Sequence, residues 1–186
     1  RKRGAYGTFN RAYSAEVVSG MGAQSALKLS YDAPDAYPSG ARIERTITLK
    51  ASEEFFTVDY RVTPKVADGK QAFWSASSIV IGDPANQARK FLASDGSFDF
   101  AAAKTRELKG GWLAAPVGGQ TTFGVFWREA EVAMAEVEMK DFSSLVNLKF
   151  KPFASATAHE YRLAFYFGAL PPERLAEVRV RALGEK

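Results

Sequence analysis

Apolar side chains recur at every second position along most of this chain, and that period limits what it can fold into. Phe56, Val58, Tyr60 and Val62 alternate with Thr57, Asp59 and Arg61. Ile43, Ile47 and Leu49 alternate with Glu44, Thr46, Thr48 and Lys50, and Leu27, Leu29 and Tyr31 with Lys28 and Ser30. Val146, Leu148 and Phe150 repeat the pattern, as do Tyr161, Leu163, Phe165 and Phe167. Successive side chains of a strand point to opposite faces, so this alternation describes strands buried on one side. Glu131 to Lys140 also admits an Ala- and Glu-rich helix, but its neighbours on both sides read as strands, and a bulged strand is expected there.

Turn residues punctuate these runs. Lys50-Ala51-Ser52-Glu53 is short enough for a hairpin, and Ala67-Asp68-Gly69-Lys70, Ser94-Asp95-Gly96-Ser97, Gly110-Gly111 and Gly118-Gly119 mark further turns. A long polar loop is expected to begin over 82–88. Roughly ten short strands with regular turns are expected, in an all-β sandwich or barrel rather than an α/β layer fold. The end differs. Pro171-Pro172-Glu173 suits the first turn of a helix, and Leu175, Val178, Ala182 and Leu183 follow at helical spacing, predicting a short C-terminal helix.

Length and composition narrow the function classes. The chain has 186 residues and no compositional break, so one domain over 1–186 is expected. It opens Arg1-Lys2-Arg3 without Met, as expected of a piece of a larger protein. There is no Cys, which removes disulfides, thiolate chemistry and Cys-based zinc sites. With a single His, no His-rich metal site can form, and neither a metal nor a cofactor is expected. The formal charge of +4 is dispersed among acids rather than gathered in a stripe, which argues against nucleic acid.

Three segments resemble a known fold family. Ala41 to Val62, ARIERTITLKASEEFFTVDYRV, resembles the paired strands that open the galactose-mutarotase-like β-supersandwich. Gly110 to Trp127, GGWLAAPVGGQTTFGVFW, resembles its mid-domain segment, and His159 to Gly168, HEYRLAFYFG, its closing strand. The resemblance implies an all-β, two-layer antiparallel supersandwich with a short C-terminal helix. It also implies a non-catalytic accessory or carbohydrate-binding domain of a glycoside hydrolase or glucanotransferase, partnered by a glycan or a neighbouring catalytic domain. The alternative is a protein-interaction domain, such as the periplasmic domain of a YidC-type membrane protein insertase with protein or membrane-insertase partners. That pattern carries Gly-Pro-Lys after the closing strand, where this chain has Gly168-Ala169-Leu170. A periplasmic or extracellular setting is expected in either case. Epimerases of the superfamily fill their acid and base roles with His and Glu, helped by a second His. With one His here, no catalytic residue is assigned.

Candidate ligand-binding residues follow from side-chain chemistry. Trp74, Trp112 and Trp127 are candidate stacking surfaces for the C–H faces of a sugar, each with a competing core role that is strongest for Trp127, while Trp112, after two glycines at a strand start, could lie at a rim. Arg45 sits among apolar-face neighbours, where it faces a groove or pairs with Asp59 or Glu107. Arg128, at a strand end, could clamp a hydroxyl or carboxylate. His159 reads as a rim histidine, and Asp59, Glu107, Glu136 and Glu138 as solvated carboxylates.

Overall fold

The structure, a computed structural model, describes residues 12–20, 22–33, 40–65, 71–72, 75–81, 90–99, 105–116, 121–140, 143–154, 157–169 and 171–185. Strands β1 (Ser14–Ser19), β2 (Gln24–Ala33), β3 (Ala41–Lys50) and β4 (Phe55–Pro64) come first, followed by β5 (Gln71–Ala72) and β6 (Ser75–Ile81). Next are β7 (Lys90–Ala93), β8 (Gly96–Asp99), β9 (Thr105–Glu107), β10 (Trp112–Pro116) and β11 (Thr122–Trp127). A 3-10 turn at Glu129–Glu131 leads into β12 (Val132–Lys140), β13 (Ser143–Phe150), β14 (Phe153–Ala154), β15 (His159–Gly168) and the helix α1 (Pro172–Leu183).

The strands form a large sheet in the order β1-β2-β3-β4-β15-β11-β10-β7-β8 and a small sheet in the order β6-β13-β12-β9, with β14 paired to β5. Every pairing is antiparallel. The expected two-layer all-β architecture is therefore present, with more strands than the roughly ten read from alternation. Two-residue strands such as β5 and β14 are too short to display a period. The Lys50 to Glu53 hairpin forms, with Leu49 opposite Phe56. Of the expected strand Glu131 to Lys140, Val132–Lys140 forms β12, with a register shift between Val132 and Met134, the expected bulge, while Glu131 ends the 3-10 turn. The expected turn over 67–70, the loop over 82–88 and the turn at Gly118-Gly119 lie outside the described residues.

Two cores sandwich the large sheet. On its inner face Val58, Leu113, Val125, Trp127 and Leu163 pack against Ala135, Val137, Val146, Leu148 and Phe150 of the small sheet. On its outer face Trp112, Ala114, Phe126, Ala164 and Tyr166 pack against Leu175, Val178, Ala182 and Leu183 of α1. Those four helix residues fall at i, i+3, i+7 and i+8, one stripe of a helix. The helix ends on Gly184, whose φ of +64° turns its N–H back onto the carbonyls of Arg181 and Val180.

The Gly110-Gly111 pair seats this helix. A β-carbon at Gly111 would lie 2.7 Å from the Trp127 carbonyl oxygen and 2.6 Å from Arg179 Nε, so only glycine lets the turn and the helix approach. The φ of +74° at Gly111 makes the same demand. Glu129 accepts a hydrogen bond from the Gly110 N–H and fixes the turn from the other side.

Candidate functional site

The outer face of the large sheet is apolar under α1 and polar beyond it. Strand alternation sends Lys28, Glu44, Thr46, Asp59, Arg61, Glu160 and Arg162 to this outer face, because their neighbours in sequence face inward. Register then aligns them in rows across the sheet. Lys28 lies opposite Thr46, Thr46 opposite Asp59, and Asp59 opposite Arg162. A second row runs from Ser30 through Glu44 and Arg61 to Glu160. All of these but Ser30, together with Arg128, Tyr60 and Tyr161, line a cleft of about 480 Å³.

The cleft floor is held by ion pairs. Arg162 Nε donates to Asp59 Oδ1 at 2.6 Å and Nη2 donates to Oδ2 at 3.0 Å. Lys28 Nζ lies 2.7 Å from Glu44 Oε1, and Arg61 Nη1 donates to Glu160 Oε1 at 2.7 Å. Glu44 is the best-covered carboxylate of these, and Arg42 and Arg61 approach it more loosely, at 3.8 and 4.0 Å. Its hydrogen bond from Lys28 outweighs the desolvation that opposes it and holds its pKa below the ordinary carboxylate value. The hydrogen bond to Asp59 likewise pushes the Arg162 guanidinium up.

Arg128 closes one end of the cleft. Nη1 donates to Glu131 Oε1 at 3.0 Å, and Nη2 donates to the carbonyl of Leu183 in the last turn of α1. Of the six residues singled out from sequence, it is the one among the described residues that lines this cleft. Its guanidinium is engaged by Glu131 and the helix carbonyl, so its role there includes fixing the cleft's edge.

The four others that are described lie elsewhere. Trp127, 1% exposed, belongs to the inner core and offers no ring to a ligand. Trp112 is 8% exposed; α1 covers it, so it does not stand at a rim as its place after two glycines suggested. Trp74 lies outside the described residues. His159 faces inward, its ring stacked on Phe153 at 4.6 Å and tilted against Tyr161 at 5.0 Å. Arg45 also faces inward, but it pairs with neither Asp59 nor Glu107. Asp59 points to the opposite face and is bound by Arg162, whereas the Arg45 guanidinium lies 5.3 Å from the Tyr13 ring centre and 5.4 Å from that of Tyr60. These contacts place the cation over two π faces, an arrangement that compensates for partial burial. Burial raises the Tyr60 hydroxyl above its ordinary pKa.

Glu107, Glu136 and Glu138 sit together on the small sheet, Glu136 opposite both Glu107 and Asn147. Among the described residues no cluster of three or more His, Asp or Glu could hold a metal ion, and no helix is long and apolar enough to cross a membrane.

By sequence, no family model and no curated protein matches the chain. Solved structures do resemble it in shape. A candidate aldose 1-epimerase from Klebsiella pneumoniae superposes with a TM-score of 0.61 at 7% identity, over 88% of this chain and 56% of that one. A galactose mutarotase related enzyme from Lactobacillus acidophilus gives 0.57 at 8% identity, over 85% and 71%. An alpha-N-acetylgalactosaminidase from Bifidobacterium bifidum gives 0.57 at 11%, over 84% of this chain and 27% of that one. The chain thus spans about half of the Klebsiella protein and about a quarter of the Bifidobacterium one. Identities this low speak to architecture, and the architecture is the one the three sequence segments resemble. This chain has the galactose-mutarotase-like β-sandwich fold.

Proposed function

We propose that this chain is a non-catalytic, carbohydrate-related binding or accessory domain that holds a glycan in the outer-face cleft. The observation that carries the reading is the cleft floor itself, in which carboxylate acceptors and cationic donors alternate and are already fixed by one another. A sugar hydroxyl both donates and accepts a hydrogen bond, so it is matched by a carboxylate beside a guanidinium, as at Asp59 and Arg162. Preformed pairs of this kind lose little side-chain freedom when a ligand arrives. A volume near 480 Å³ falls within the range of small-molecule sites. The fold neighbours named above, two of them described by sugar-ring chemistry and one by glycoside cleavage, support the same substrate class.

The same features argue against proton transfer. A general acid at neutral pH needs a raised carboxyl pKa, whereas Glu44 is held low by Lys28. The single His lies on the opposite face, stacked on Phe153.

The test is calorimetric titration of the intact chain with a panel of neutral oligosaccharides, repeated on Asp59→Ala. Saturable binding that Asp59→Ala abolishes, with the folded state intact by circular dichroism, supports the reading. Silence across the panel, or binding that Asp59→Ala leaves untouched, overturns it.

A further inference from the structure

Resting on that glycan reading, we infer that the cleft takes an uncharged, linear oligosaccharide laid across the strands rather than a single sugar. Two observations carry this. The first is the shape of the polar floor. Lys28, Thr46, Asp59 and Arg162 occupy matched positions on β2, β3, β4 and β15, so the row runs perpendicular to the strands. Three steps of about 4.8 Å between neighbouring strands make this row roughly 14 Å long. Arg128, at the end of β11 beyond β15, extends the lining by one more step. That length is a multiple of the width of one pyranose ring, and polar donors and acceptors recur along all of it. A monosaccharide would use one step and leave the others to water.

The second observation is charge. Each cation of the cleft has its own carboxylate: Lys28 with Glu44, Arg61 with Glu160, Arg162 with Asp59 and Arg128 with Glu131. Three of these carboxylates line the cleft with the four cations, and the fourth, Glu131, holds Arg128 from outside the lining. An anionic sugar would have to break one of these pairs to find a counter-ion and would leave a carboxylate facing its own charge. A neutral chain can bridge the pairs through its hydroxyls without separating any.

Chain length and charge are read in one titration series on the intact protein. Neutral oligosaccharides of one linkage, from one to six units, are compared with an acidic series of uronate oligomers. The expected result is affinity that rises at least about tenfold between one unit and four and then levels off, equivalent to about 1.4 kcal/mol of added contact. Lys28→Ala, at the end of the row far from Arg128, should weaken the four-unit ligand while leaving the two-unit ligand within about twofold. Monosaccharide affinity equal to that of the four-unit chain, or preference for the uronate series, overturns this inference while leaving the glycan-binding reading standing. Silence with every sugar removes both.

Discussion

Arg162 and Asp59 are separated by 103 residues in the chain, yet their side chains meet in a two-bond fork on the outer face of the large sheet. The fork exists because β15, the closing strand, inserts beside β4 rather than beside its neighbours in sequence. Both side chains remain more than a third exposed. Water screens such a pair, so its coupling energy should be modest, about 0.5–1 kcal/mol in a double-mutant cycle of Arg162→Ala and Asp59→Ala. Arg162→Lys keeps the charge but cannot form the fork, and should recover less than half of that coupling. Urea denaturation of the four proteins of this cycle, with Arg162→Lys and Arg162→Lys/Asp59→Ala added, checks both statements. A coupling indistinguishable from zero would mean that the fork orders the cleft without stabilising the fold.

Glu44 gives the cleft a pH signature. Its pKa is lowered in the folded state, mainly by the hydrogen bond from Lys28. The stabilisation is therefore complete above the carboxylate's unfolded-state value and is lost as pH falls through the lower, native value. Glu44→Gln should be less stable than the parent at pH 7, and the gap should close below about pH 4, where the unfolded carboxylate is itself protonated. Melting temperatures across that range decide it. A gap that widens on acidification would contradict the assigned direction.

Gly111 and Gly184 both hold positive φ, but only one is also crowded. A β-carbon at Gly184 meets nothing within 4 Å, so Gly184→Ala pays the left-handed backbone penalty alone, about 1 kcal/mol. Gly111→Ala adds close approach to a backbone carbonyl and to Arg179, and should cost clearly more, about 2–3 kcal/mol. Equal losses in denaturant would show that the turn relaxes and that the seat of α1 is softer than its geometry.

Local pattern made the layers legible, and non-local pairing hid the site. Phe56, Val58, Tyr60 and Val62 announce a one-sided strand, and β4 is one. Leu175, Val178, Ala182 and Leu183 announce the helix stripe that is buried. Trp112 misleads because alternation describes a strand with one wet face. Where α1 lies across them, β10, β11 and the later part of β15 are dry on both faces, which buries Ala164 and Tyr166 as well as Leu163 and Phe165. The cleft residues were visible only as the polar half of each strand. That Lys28, Thr46, Asp59 and Arg162 form one row follows from the order β2-β3-β4-β15, which no local period encodes. Arg45 was rightly conspicuous as a charge on an apolar face. The two tyrosine rings it lies against were hidden, because they needed the register that sets it beside Tyr60.

The helix and the sandwich should unfold as one unit. α1 covers Trp112, Ala114, Phe126, Ala164 and Tyr166, and without it that apolar patch on the large sheet would face water. Arg128 ties the helix's last turn to the strand end, through the Leu183 carbonyl, and Arg179 with Glu185 secures it above the Gly111 turn. Leu175 is fully buried at the centre of this contact. Leu175→Ala should therefore lower global stability by about 2–5 kcal/mol rather than merely release the helix. Far-ultraviolet circular dichroism and tryptophan emission should report coincident urea transitions in both proteins, shifted together in the variant. If the helical signal instead vanished at lower urea than the tryptophan signal, α1 would be a separately unfolding element, and the cleft edge that Arg128 and Leu183 form would be built only when it docks.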